Sequence, residues 1–96
     1  MKSMQKKIME HIEAHAKKRH GLESAVDHNY SNTGRVVFSD PGALESRGVL
    51  RFSFQNGCAK FTWGESCGPN IVIVDYDKPQ IETKVNDAIR RCLKAA

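Results

Sequence analysis

Arg47 to Glu65, RGVLRFSFQNGCAKFTWGE, decides the fold. It carries three of the four phenylalanines and the only tryptophan. Two alternating apolar runs flank Asn56-Gly57, a pair that tolerates the positive φ needed at both centres of a type I′ hairpin turn. With those two residues as the loop, Gln55 faces Cys58 and the rest of the register follows. One face then holds Leu50 with Trp63, Phe52 with Phe61, and Phe54 with Ala59. The other holds Val49 with Gly64, Arg51 with Thr62, and Ser53 with Lys60. A slip of one residue would exchange the two faces, so the separation into an aromatic and a polar side fixes this pairing. The aromatic side reads as a core wall rather than a platform for stacking bases.

Working outward, Gly34 to Ser39 (GRVVFS) reads as a strand ending at the Asp40-Pro41-Gly42 turn, and the connection through Ser46 is long enough to form a flap. On the far side of the hairpin, Ile71 to Tyr76 (IVIVDY) is apolar on both faces until Asp75. In a plain meander this strand lies at the sheet edge, where two apolar faces invite association unless covered. A second copy is the natural cover, which makes Ile71, Val72, Ile73, Val74 and Tyr76 the candidate homodimer interface.

Two helices close the chain at its ends. From about Lys2 to Arg19, Met4, Ile8, Ile12 and Ala16 recur every four residues as a buried stripe, with Gly21 as the C-terminal cap. Near the other end, Asp77 reads as an N-cap with Pro79 in the first turn, and Ile81, Val85, Ala88, Ile89 and Cys92 form the second stripe. Residues 21–33 lack periodicity and end in a polar cluster, so they read as a loop containing His28 and Tyr30. The expected architecture is α+β: about four antiparallel strands with both helices on one face, in the order α-β-β-β-β-α, within a single domain spanning residues 1–96.

The formal net charge of +4 divides unevenly. Residues 1–20 carry +4, residues 21–77 carry −3 and residues 78–96 carry +3. Lys6, Lys7, Lys17, Lys18, Arg90 and Lys94 are therefore the candidate contacts for nucleic acid or an acidic protein, although several also complement helix dipoles. No run of about 18 apolar residues would span a bilayer. The basic N-terminus has no apolar core of a signal peptide, and a cytoplasmic protein is expected.

Three cysteines, Cys58, Cys67 and Cys92, are odd in number and lack C-x-x-C spacing, so reduced thiols are expected rather than a disulfide framework or zinc ribbon. His11 and His15 are four residues apart on the first helix, a spacing compatible with one metal, yet no third ligand or H-E-x-x-H pattern accompanies them. They read as rim residues whose packing responds to pH near the ordinary histidine value. No motif implies a cofactor.

The helix, antiparallel strands, helix order resembles that of the double-stranded RNA-binding domain and of small toxins sharing its shape. In that family a lysine cluster opens the second helix and contacts phosphates. Here that position reads Lys78-Pro79-Gln80-Ile81, so the family's contact residues are not carried over.

Three function classes remain. The foremost is a non-catalytic interaction module, homodimeric, with basic helices for an acidic protein or nucleic acid. The second is a small ribonuclease-like toxin using His28, Tyr30 and Arg35 or Arg51. The third is a small-molecule cup lined by Phe52, Phe61 and Trp63. A nucleophilic role for Cys67 would need an activating base that its neighbours Glu65 and Ser66 do not supply.

Overall fold

The computed structural model describes residues 3–64 and 70–95. Its elements are α1 (Met4–His20), β1 (Glu23–Tyr30), β2 (Thr33–Ser39), β3 (Gly48–Gln55), β4 (Cys58–Trp63), β5 (Ile71–Asp75) and α2 (Ile81–Ala95). The five strands form one antiparallel meander in the order β1-β2-β3-β4-β5. Both helices lie on the same face, with α2 over β3, β4 and β5, and α1 against α2 and β1. The α+β class with helices on one side is as expected. The sheet has five strands rather than about four.

The central hairpin has the register read from its sequence: Leu50 pairs with Trp63, Phe52 with Phe61, Phe54 with Ala59 and Gln55 with Cys58. Leu50, Phe52, Phe54, Ala59, Phe61 and Trp63 are all buried under the helices, where they meet Ile8, Ile12, Val85 and Ile89. The turn differs from expectation. Gly57 has φ +83° while Asn56 stays at negative φ, a pattern of the type II rather than the type I′ turn. The Gly57 carbonyl accepts from the Tyr76 amide at 2.9 Å, so the end of β5 helps hold this turn.

The principal correction concerns residues 21–33. Gly21 does cap α1, with φ +68°, its amide donating to the Lys17 carbonyl at 3.1 Å and the next amide, of Leu22, to the Ala16 carbonyl at 3.0 Å. Beyond it the chain is strand, not loop: Glu23–Tyr30 pairs with Thr33–Ser39 through a two-residue turn at Ser31-Asn32. Within β1 only Ser24 is even half-buried, so no alternation marks it in the sequence. It is a strand because β2 offers an unpaired edge, not because it carries an apolar face. Asn32 fixes its turn to the central hairpin, accepting from the Phe54 amide at 2.8 Å and donating its side chain to the Phe54 carbonyl at 3.0 Å.

The start of α2 is also displaced. Asp77 is not its N-cap; the Asp77 amide donates to the Asp75 carboxylate at 3.0 Å, closing a local turn. The helix begins at Ile81, and the Gln80 carbonyl accepts its first bond, from Lys84, at 3.0 Å. Gln80 has φ +72°, which lets the chain turn from the Asp77–Pro79 corner into the helix axis. At the other helix, Ser3 supplies the N-cap by accepting from the Lys6 amide at 3.2 Å.

The connection after β2 forms a turn at Asp40-Pro41-Gly42, with the Ala43 amide donating to Asp40. Arg47 closes it by pairing with Asp40 at 3.1 Å. Among the described residues no helix is long and apolar enough to cross a membrane.

Candidate functional site

The two amphipathic helices bury their apolar stripes in the sheet and leave their polar flanks facing each other. On α2, Thr83, Asn86, Asp87 and Arg90 follow a spacing of three, four and seven residues from the first, so they share one side of the helix. On α1, His15, Lys18, Arg19 and His20 occupy the last two turns. Together these eight side chains line an open cleft of about 730 Å³. Three permanent cations and two histidines therefore surround one carboxylate.

That carboxylate is already engaged. Asp87 contacts Arg90 and lies 3.8 Å from Arg91. Lys18 and Arg19 make no ion pair among the described residues. Arg90 also borders a second recess of about 380 Å³ with Trp63, Asn70, Arg91, Lys94 and Ala95. The Arg91 guanidinium carbon sits 5.0 Å from the Trp63 ring centroid, where the ring face attracts the cation and holds it at the recess wall. The result is a basic strip running from the end of α1, across Arg90, to the end of α2.

Of the six basic candidates from the sequence, Lys18 and Arg90 are brought together in the cleft, and Lys94 lies in the adjoining recess. Lys7 belongs to a different, mostly apolar hollow of about 150 Å³ at the other end of the helices, with Met4, Ile8, His11, Ile81, Glu82 and Val85. Lys6 and Lys17 are exposed on α1 and border none of these hollows. Sequence reading missed Arg19, His20, Thr83, Asn86 and Arg91. The polar spacing on α2 was the available signal, since it flanks the apolar stripe at the same helical period.

Three histidines, His11, His15 and His20, form a row along α1, and the last two line the cleft. His11 and His15 stack, with ring centroids 5.8 Å apart, and His20 meets His15 edge-on at 5.5 Å. His11 Nε2 lies 2.6 Å from Asn86 Oδ1, so the ring N–H donates across the helix interface. Burial, then the neighbouring His20, His11 and Arg19, hold His15 below the ordinary histidine pKa. Among the described residues, no group of three His, Cys, Asp or Glu side chains is arranged to hold a metal ion.

The other candidates are separated. His28 faces the helix side, pairing with Gly34 and meeting the Phe52 ring edge-on at 5.7 Å. Arg35 and Arg51 pair with one another on the opposite face, where Arg35 binds Asp27 at 3.2 Å and Arg51 donates to the Gly64 carbonyl. The register thus directs His28 and the two arginines away from each other. Phe52, Phe61 and Trp63 are packed in the core. Cys92 is also buried, its thiol pushed up to about 11, and Cys58 is half-buried; both are free. Cys67 with its neighbours Glu65, Ser66, Gly68 and Pro69 lies outside the described residues.

At the β5 edge, Val74 is fully buried and Val72 partly so, both beneath α2. Ile71 and Ile73 face the other way and are 37% and 54% exposed. Tyr76 is partly buried beyond the strand end, and burial followed by the neighbouring Cys58 raises its pKa.

No family model, curated protein or solved structure matches this chain.

Proposed function

We propose that this protein is a small non-catalytic binding module, homodimeric through β5, that holds the phosphates of a nucleic acid along the basic strip between its helices. The observation that carries the reading is the convergence of Lys18, Arg19 and Arg90 on one open cleft where, among the described residues, the one carboxylate, Asp87, offsets Arg90 and leaves Lys18 and Arg19 without an ion pair. Thr83 and Asn86 add neutral hydrogen-bonding groups to the cleft wall. The continuation past Arg90 to Arg91 and Lys94 suits a chain of anions better than a single small one. A cytoplasmic location belongs to the same reading and is supported by the free Cys58 and Cys92.

The dimer is argued from the two edges. β1 presents Glu23, Asp27, His28 and Asn29, polar groups that discourage strand addition. β5 presents two exposed isoleucines and a short backbone edge. Antiparallel pairing of two copies about Ile73 sets Ile71 against Asp75 and opposes no like charges. The two-fold axis of such a pair stands perpendicular to the sheet, so both basic strips face the same side and can engage one strand of nucleic acid with the gain of bivalency.

Fluorescence polarisation with labelled single-stranded and duplex oligonucleotides over a salt series tests the binding. The three cations of each cleft contribute about −2 to the log-log salt slope on a single strand. Replacing Lys18 and Arg90 by Ser should make the slope shallower by about 1.4 per cleft and weaken binding roughly tenfold or more at low salt. Binding insensitive to salt and to both substitutions overturns the reading. Polyaspartate competing as well as the oligonucleotide would replace the nucleic acid by an acidic protein. Light scattering tests the dimer: Ile73→Lys should yield monomers, and a monomeric parent protein removes the dimer while leaving the strip.

A further inference from the structure

The three histidines of α1 are not equivalent in what they can accept. His11 is committed to Asn86. His20 Nε2 is buried without a hydrogen-bond partner among the described residues, a costly state for a polar atom unless something arrives to satisfy it. His15 stands between them, and both His15 and His20 line the cleft.

The charges around them are of nearly one sign. From α1 come Lys18 and Arg19, with Lys7 beside His11 at the far end. From α2 come Arg90 and the engaged Asp87, with Glu82 near His11. From β1, which packs on α1, Asp27 is turned to the opposite face to bind Arg35, and Glu23 shares that face by strand alternation. Protonating His15 and His20 in the empty cleft would therefore add like charges beside Lys18 and Arg19, while the one carboxylate among the described lining residues, Asp87, is taken up by Arg90. The depression of the His15 pKa reflects this crowding together with burial.

We infer that the His15–His20 end of the cleft is a proton-linked seat for one phosphate group of the ligand, its imidazoles gaining protons as the anion binds. An imidazolium presents two N–H donors, so His15 and His20, which both line the cleft, can each offer an oxyanion a charge-assisted bond. The protons come from solvent, and no covalent bond forms or breaks. The inference rests on the cleft being the binding site and names how that site is regulated.

The sign follows from linkage. Binding raises each histidine pKa above its value in the free protein, so the added affinity is complete below the free-protein value. It is lost as pH rises through the bound-state value. For His15 the free-protein value lies below the ordinary 6.5, so its share of the added affinity is complete only on the acid side of that value.

Sulfate is the probe, because it stays dianionic from about pH 5 to about pH 8, where histidine titrates. Ring-proton NMR titrations are run in chloride and in sulfate at equal ionic strength, with His28 as internal reference because it lies on β1, outside the cleft. His15 and His20 should rise by about one pKa unit in sulfate while His28 stays within about 0.2. Equal movement of all histidines, or movement of none, overturns the seat.

A second measurement separates this failure from failure of the binding reading. Oligonucleotide affinity should increase roughly tenfold or more from about pH 7.5 to about pH 5.5, and the double variant H15Q/H20Q should flatten that profile. Binding that keeps its full pH slope in the variant overturns the seat and leaves the module intact. Sulfate-induced shifts without oligonucleotide binding support the seat and remove the nucleic acid.

Discussion

The β3–β4 hairpin and the β1–β2 hairpin have connections of the same length, two residues, and adjoin one another in one sheet. One face of the first is buried almost continuously, whereas the first strand of the second is exposed at nearly every position. The central hairpin is therefore held by apolar burial, and β1 by backbone pairing to β2, a few polar bonds and a partial cover from α1. The contrast teaches that strand identity has two separate origins, an apolar face that a sequence displays and an unsatisfied neighbouring edge that it does not.

The largest effect should come from emptying the central hairpin. Phe61 is fully buried, pairs with Phe52 and packs edge-on against Phe54 with centroids 6.0 Å apart. Phe61→Ala should destabilise the fold by about 3–5 kcal/mol, read by chemical denaturation. A loss below about 1 kcal/mol would break the comparison, because the core would then not be centred on this hairpin.

Gly34 joins the two hairpins and gives the next effect. A Cβ there would lie 2.1 Å from the Asp27 carbonyl oxygen, 2.9 Å from the His28 Cα and 2.9 Å from the Phe52 ring. The first two atoms are β1 backbone, which cannot move without opening the pairing. Gly34→Ala should cost about 1–3 kcal/mol, and hydrogen exchange should quicken in β1 well before it does in β3 and β4. Uniform quickening across the sheet would show that β1 is as integral as the centre.

These tests bear on what could be read in advance. Periodicity exposed the central register, the two apolar helix stripes and the apolar β5 because each has a buried face that repeats. β1 was invisible since His28, Asn29 and Tyr30 pack too little to leave a pattern. The Asn56-Gly57 dipeptide gave the turn position but not its type, which depends also on the bond from Tyr76 to Gly57. The same limit governs the candidate site. Basic residues could be counted along each helix, but which of them meet depends on how α1 lies across α2. Lys18 and Arg90, seventy-two positions apart, share a cleft, while the adjacent Lys17 stays outside it.

The smallest expected effect isolates the polar bond that crosses between β1 and β2. Arg35 and Asp27 face one another at 3.2 Å, with side chains 56% and 67% exposed. At such exposure water screens the attraction and side-chain ordering offsets much of what remains. A double-mutant cycle with Asp27→Ala and Arg35→Ala should give a coupling of about 0.2–1 kcal/mol that shrinks as salt is added. Either single substitution should then leave the transition nearly where it was, because β1 retains its backbone ladder and the Asn32 bonds to Phe54. A coupling well above 1 kcal/mol that persists in high salt would mean that β1 is held by a specific ionic lock. The two hairpins would then differ in the chemistry of their attachment rather than in its strength.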